Sequence, residues 1–137
     1  MKDRQASLLD DLPPDLTELS RAVELQRRAA RVGFDWNQLA PVVAKIREEL
    51  VELEMEINGA GEPGRKQDEL GDLLFAVANL ARKLEIDPEQ ALRGTNRKFR
   101  RRFGIVETEL AKRGKRPEDA CLEEMDAIWD HAKKYES

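Results

Sequence analysis

Apolar residues recur at helical spacing along most of this 137-residue chain, and this periodicity constrains the fold more than any other feature. In the segment 38–58, five apolar residues step by three and four, as in the core-facing stripe of an amphipathic helix: Val43, Ile46, Leu50, Leu53 and Ile57. No stretch alternates apolar and polar residues with an enrichment of β-branched side chains. The pattern therefore predicts an all-α fold.

Capping and breaking residues divide the chain into five expected helices, which would form a bundle with short connections. Asp15 and Glu18 have the spacing of a capping box, and Asp87 followed by Pro88 is typical of a helix start. The expected helices run from near 15 to before 33, over 38–58, over about 65–84, from 88 to before 114, and from 117 onward. The expected core-facing residues of the third and fourth helices are Leu70, Leu73, Leu74, Val77, Ala81 and Leu84, then Leu92, Thr95, Phe99, Phe103, Val106 and Leu110.

Composition bounds the function classes. We expect a leader or linker over 1–14 and one domain over 15–137. The chain has 24 basic and 28 acidic residues and a net charge of −4, which disfavours a general nucleic-acid or membrane binder. One cysteine and one histidine exclude an internal disulfide and zinc sites of several histidines or cysteines. No run is long enough to span a membrane and no signal peptide is evident, so we expect a cytoplasmic protein.

Two acidic pairs stand on neighbouring expected helices: Glu49 with Glu52, and Glu69 with Asp72. At 100° per residue each pair borders the apolar stripe of its helix. If the two helices are antiparallel neighbours, the four carboxylates face each other and repel unless a divalent cation lies between them. The alternative is two solvated helix faces, with Lys45 and Glu49 as an ordinary ion pair.

The densest basic segment is 97–102, in which Lys98 and Arg102 lie four residues apart beside the expected core residue Phe99. A cationic pair near a carboxylate-held metal suits a polyphosphate. A solvated basic face and a nucleic-acid patch extended through 112–116 are the alternatives, and the net acidity disfavours the patch. Trp36 and Trp129 could stack on a base, although core packing is the commoner role.

Several strings together are far more specific than the acids alone. They are Val-Gly-Phe-Asp-Trp at 32–36, Glu-Leu-Val-Glu at 49–52, Asp-Glu-Leu-Gly-Asp-Leu-Leu-Phe at 68–75, and Asn-Arg-Lys-Phe-Arg-Arg-Arg-Phe at 96–103. Sixteen residues separate the E-x-x-E and E-x-x-D motifs. By these motifs the chain resembles the MazG family of nucleoside triphosphate pyrophosphohydrolases, from Leu8 to Tyr135.

The resemblance implies a dimeric all-α bundle of the NTP pyrophosphatase type. It implies that Glu49, Glu52, Glu69 and Asp72 ligate Mg²⁺, with Mn²⁺ as a substitute, and that Lys45, Lys98 and Arg102 contact the phosphates. It also places Glu48, Arg65, Asp68 and Trp129 near the nucleotide, Glu48 either indirectly or across a subunit boundary. The chain resembles the C-terminal of two tandem copies found in longer members, so it is a single-domain member or a fragment.

The activity implied is hydrolysis between the α and β phosphates, which releases nucleoside monophosphate and pyrophosphate. Glu49, Glu52, Glu69 and Asp72 are then the catalytic residues, with Glu52 preferred as acceptor of the proton of the attacking water. The alternative is a non-catalytic helical dimer that binds nucleotides or a protein partner. No pattern in the sequence ranks bases or distinguishes ribose from deoxyribose.

Overall fold

A computed structural model describes residues 6–59 and 61–136, and helices are the only regular elements among them. The α-helices are α1 (Glu18–Ala30), α2 (Leu39–Asn58), α3 (Pro63–Lys83), α4 (Pro88–Lys112) and α5 (Leu122–Lys134), with a 3₁₀ turn at Pro117–Asp119. The predicted all-α class is confirmed, and the limits of α2 and α3 lie within two residues of the expected ones. The expected leader lies partly outside the described residues.

The start of α1 differs from the prediction. Its N-cap is Thr17, whose Oγ1 accepts a hydrogen bond from the backbone N–H of Ser20 at 3.1 Å. The same hydroxyl donates to Glu89 at 2.8 Å. A hydroxyl can both accept and donate a hydrogen bond, whereas the ionised carboxylate of an aspartate such as Asp15 can only accept. Thr17 can therefore make both of these bonds, and Asp15 could make only the capping bond. The expected capping box of Asp15 with Glu18 is therefore wrong, and the helix begins at Glu18.

The ends of the last two α-helices show one confirmed and one corrected prediction. Asp87 Oδ1 accepts from the backbone N–H of Glu89 at 2.9 Å, so α4 begins at Pro88 as expected. Pro117, however, opens only the 3₁₀ turn, and the extended backbone at Ala120 and Cys121 separates this turn from α5. The expected start of the last helix at Pro117 is wrong by five residues.

The chain divides into two compact units, one ending at Gln90 and one beginning at Ala91. In the first unit α2 and α3 pack as a pair, and α1 packs on α3. Small side chains permit the close approach: Ala76 and Ala78 of α3 are buried. In the second unit Val106 and Leu110 of α4 pack against Ile128 of α5, with Trp129 among the surrounding side chains.

Much of the expected core stripe of the first unit is exposed. Leu50 of α2 is 45% exposed and Leu74 of α3 is 53% exposed. The same holds for Ile57, Leu70, Val77 and Leu84 of this unit, and in the second unit for Leu92 and Phe99. An apolar stripe predicts which face of a helix avoids water, but it does not say which neighbour covers that face. Among the described residues no helix is long and apolar enough to cross a membrane.

Candidate metal centre and adjoining cavity

The register of the α2–α3 pair places the acidic motifs opposite each other. Near the connection, Arg65 Nε lies 3.2 Å from Glu56 Oε1. Two helical turns further from the connection, Glu49 of α2 meets Glu69 and Asp72 of α3. Residues nearer the start of α2 therefore contact residues nearer the end of α3. The two helices thus run antiparallel.

Three carboxylates converge in this pair. Glu49, Glu69 and Asp72 each offer an oxygen, and these oxygens lie within 4.8 Å of one another. Glu52 follows Glu49 by one helical turn, and the negative charges of Glu49 and Glu69 both act on it. The structure thus brings three acids of the two motifs together, and we call these three with Glu52 the carboxylate cluster.

The interior of the cluster is short of hydrogen-bond donors. Glu49 is only 6% exposed, and its Oε1 lies 3.1 Å from the ammonium of Lys45. In the part of the chain that the structure describes, Oε2 of Glu49 and Oε2 of Glu69 are buried and have no hydrogen-bond partner. Burial of a carboxylate oxygen without a partner is costly. An oxygen-only donor set of this kind fits a hard divalent cation, so the cluster could hold a metal ion.

The electrostatics of the cluster also favour a cation. The negative charge of Glu49 raises the pKa of Glu52 above its ordinary value, and burial and the charge of Glu69 act in the same direction. The hydrogen bond to Glu49 raises the pKa of Lys45. Each shift is the response expected where negative charge is concentrated and little positive charge offsets it.

A cavity of about 970 Å³ adjoins the cluster, and its walls include Glu49 and Asp72. Lys45 and Glu48, both expected near the nucleotide, line the same cavity. A second cavity, of about 840 Å³, lies against α1 and the start of α4 and is lined by none of the four acids.

Two further expected nucleotide residues of the first unit do not line the cavity beside the cluster. Arg65 pairs with Glu56 instead, and Asp68 is exposed. Their expected contacts with a nucleotide stay predictions that rest on the sequence strings.

The expected residues of the second unit form a local arrangement of their own. The guanidinium of Arg102 lies 5.8 Å from the ring centre of Trp129 and donates two hydrogen bonds to Glu136 Oε2, at 2.6 and 3.0 Å. These bonds, with those from Arg101, hold the pKa of Glu136 down to about 2. Lys98 is exposed. No sequence signal pointed to Glu136, because its partners lie more than thirty residues away.

Sequence reasoning also missed part of the cavity wall. Of the two roles considered for Trp36, core packing is wrong: Trp36 is 53% exposed and lines the cavity. Asp35, Asn79 and Arg82 line the same cavity. The string at 32–36 was a usable signal for this segment, but it assigned no partner to Asp35.

Comparison with known proteins gives a consistent family match. Residues 38–104 match the family described as the MazG nucleotide pyrophosphohydrolase domain. Over 133 residues the chain is 45% identical to the nucleoside triphosphate pyrophosphohydrolase of Escherichia coli K12, which covers 96% of this chain and 51% of that protein. Over 130 residues it is 40% identical to the nucleoside triphosphate pyrophosphohydrolase/pyrophosphatase MazG of Thermotoga maritima, covering 95% and 49% of the two chains.

A third relative, the uncharacterized protein YabN of Bacillus subtilis, is 43% identical over 132 residues, which are 96% of this chain and 27% of that protein. The chain therefore spans about half, or less, of the length of these relatives.

The first prediction concerns metal binding. Glu69→Gln removes one charged ligand from the cluster, so we expect Mn²⁺ and Mg²⁺ to bind roughly tenfold or more weakly than to the unaltered protein. Isothermal titration calorimetry measures this directly. Glu54→Gln is the matched control because Glu54 is exposed on α2, and it should bind both ions as the unaltered protein does. Equal affinities in all three proteins would contradict a metal site at the cluster.

The second prediction concerns pH without divalent cations. A carboxyl whose folded pKa is raised stabilises the fold below its unfolded pKa, and this stabilisation is lost as the pH rises through the folded pKa. Glu52 is such a group, so Glu52→Gln should melt a few degrees above the unaltered protein at pH 7 in EDTA. The difference should shrink as the pH falls towards the ordinary carboxyl range. Thermal melts across this pH range test it, and a difference that grows on acidification would refute it.

Proposed function

We propose that the chain hydrolyses nucleoside triphosphates between the α and β phosphates, starting from the match of residues 38–104 to the MazG nucleotide pyrophosphohydrolase domain. The products are nucleoside monophosphate and pyrophosphate. The observation that carries the proposal is the carboxylate cluster, in which buried oxygens of Glu49 and Glu69 have no hydrogen-bond partner among the described residues and which borders a cavity of about 970 Å³. The names of two relatives agree with this activity.

The metal we propose is Mg²⁺, with Mn²⁺ as a substitute, held by Glu49, Glu52, Glu69 and Asp72. Four carboxylates and no histidine or cysteine form a donor set that hard cations prefer. Bound there, a divalent ion supplies a more acidic water and neutralises phosphate charge. We assign the proton of the attacking water to a carboxylate of the cluster, with Glu52 preferred.

The remaining site residues are proposed on the sequence match. Lys45 holds Glu49 at 3.1 Å and lines the cavity, so its ammonium both balances the cluster and faces a ligand there. Lys98 and Arg102 supply positive charge for the phosphates. Glu48, Arg65, Asp68 and Trp129 are proposed as further contacts of the nucleotide.

We also propose that a second copy of the chain covers the exposed apolar face of the α2–α3 pair. Five residues of this face are between 42% and 57% exposed: Leu50, Ile57, Leu70, Leu74 and Val77. At 100° per residue they lie on one side of the pair, away from the side that carries Glu52 and Asp72. A contiguous apolar face of this kind is typical of an interface between subunits.

The third prediction concerns the reaction. We expect the unaltered protein with Mg²⁺ to convert one or more members of a panel of ribo- and deoxyribonucleoside triphosphates into monophosphate and pyrophosphate. Glu69→Gln should lose roughly 100-fold or more in rate, because loss of a ligand costs at least as much as loss of a residue that supports one. Glu54→Gln should keep its rate. Phosphorus NMR resolves the products.

Two results would change the proposal. Diphosphate with orthophosphate would show that a different phosphorus is attacked. If no member of the panel is turned over, the alternative of a non-catalytic helical dimer that binds nucleotides or a protein partner takes its place.

The fourth prediction concerns association. Sedimentation equilibrium should give the mass of two chains, and Leu74→Glu should shift it to one chain, since a charge buried in an apolar interface is strongly disfavoured. The control is Leu122→Glu, at an exposed position of α5, which should stay dimeric. One-chain mass for the unaltered protein would exclude the proposed dimer.

A further inference from the structure

The turn formed by residues 33–36, which we call the aromatic turn, contributes to the wall of the cavity beside the carboxylate cluster. It carries Phe34 and Trp36, both largely exposed although they are apolar. At Gly33 the backbone has φ of 93°, a value that favours glycine, and this lets the chain leave α1 sharply. The cavity volume of about 970 Å³ lies in the range of small-molecule sites.

The aromatic turn is fastened to the end of α3 by two cations. Arg82 donates from both terminal nitrogens to the carboxylate of Asp35, at 2.6 and 3.3 Å. Lys83 donates to the same carboxylate at 3.3 Å and to the backbone carbonyl of Trp36 at 2.6 Å. The backbone N–H of Trp36 donates to Asp35 Oδ1 at 2.8 Å. Asp35 is therefore the centre of a network that fixes the backbone of Trp36.

The ion pair at Asp35 is better sheltered than an ordinary surface pair. The side chains of Arg82 and Asp35 are 12% and 24% exposed, and the fork-shaped guanidinium binds the carboxylate with two nitrogens. The hydrogen bond from Arg82 is the largest cause that lowers the pKa of Asp35. Such a pair keeps a fixed geometry, whereas exposed single-contact pairs contribute little.

Arg82 orients a second cavity residue as well. Its Nε donates to Asn79 Oδ1 at 3.0 Å, and Asn79 lines the same cavity as Trp36. The carboxamide of Gln26, also in the cavity wall, is fixed by donation to the carbonyls of Ala22 and Phe75 at 3.0 and 3.2 Å. An indole and two oriented carboxamides in one cavity suit a flat, polar-edged ring, which the indole can stack on and the amides can hydrogen-bond.

We propose that Asp35 is a positioning residue that, through Arg82 and Lys83, holds Trp36 in the wall of a subsite for the nucleoside part of the substrate. The inference rests on the proposed function, because the cluster that adjoins this cavity would take the phosphates. Asp35 acts through the turn and does not touch the reacting atoms. Its loss should therefore weaken nucleotide binding and leave the chemical step intact.

The fifth prediction separates the nucleoside from the phosphates. With Mg²⁺ present, Asp35→Asn should bind the α,β-methylene analogue of the best-cleaved nucleotide roughly tenfold more weakly, as expected for the loss of charge-assisted hydrogen bonds. It should bind inorganic tripolyphosphate, which has no nucleoside, as the unaltered protein does. In steady-state kinetics KM should rise by a similar factor while kcat stays within about twofold. Calorimetry and product assays give both readings.

Four further variants sharpen the test. Asp119→Asn is the matched control: it removes a different aspartate–arginine pair, to Arg116 at 3.1 Å, and should leave both affinities unchanged. Trp36→Ala should reproduce the effect on the nucleotide, and Trp36→Phe should largely restore binding. Asp35→Asn combined with Arg82→Gln should be little worse than the more severe single variant, because the two residues act as one unit.

The outcomes distinguish this inference from the proposed function. If the unaltered protein cleaves nucleotides but Asp35→Asn binds nucleotide and tripolyphosphate unchanged, or loses both equally, the nucleoside subsite is wrong and the hydrolase proposal stands. If the unaltered protein binds neither ligand, the proposed function itself fails, and the subsite fails with it.

Discussion

Repulsion among carboxylates on two packed helices is the constraint on which the first unit depends. Glu49, Glu69 and Asp72 present oxygens within 4.8 Å of each other, and at an effective dielectric constant of 20 one such pair of charges costs about 3.5 kcal/mol. That is comparable to the gain from burying one large apolar side chain. The buried apolar residues of α2 and α3 are Val42, Ala76 and Ala78, which are small or medium in size. A bound cation would turn this repulsion into attraction, so metal binding and stability are expected to be linked.

The sequence predicted the parts of this arrangement that are local. Helical periodicity gave α2 and α3 to within two residues, and helical phase put each acidic pair beside its apolar stripe. With the two helices taken as antiparallel neighbours, the sequence also predicted that the two acidic pairs face each other. The sequence did not predict which apolar stripes are buried. Leu50 and Leu74 fit the same helical pattern as the buried Val106 and Leu110, yet they are half exposed. Helical periodicity shows which face of a helix is apolar and avoids water. It does not show which other surface packs against that face.

Long-range polar contacts account for what could not be predicted. Asp35 and Arg82 lie 47 residues apart, and no spacing rule connects an aspartate in a turn with an arginine at the end of a distant helix. The second bond of Thr17, to Glu89 72 residues away, is equally beyond a spacing rule, although its capping bond from Ser20 is local. The sequence strings singled out the 32–36 segment and the acidic motifs. The packing of the helices, however, decides which of the many charged side chains pair with each other.

The α2–α3 pair provides two surfaces that one helix could not provide: a cluster of carboxylates from both motifs and a broad apolar face. One side of the pair concentrates negative charge at the carboxylate cluster, and another side presents the apolar stripes. If a second copy covers the stripes as proposed, the buried area stiffens both helices without touching the cluster. The carboxylates would then be held against their mutual repulsion by packing on the far side of the same helices. A metal site built on rigid elements keeps its ligand geometry better than one built on loops. The aromatic turn, a loop in the same unit, instead depends on the ion pair of Asp35 with Arg82 to hold its position.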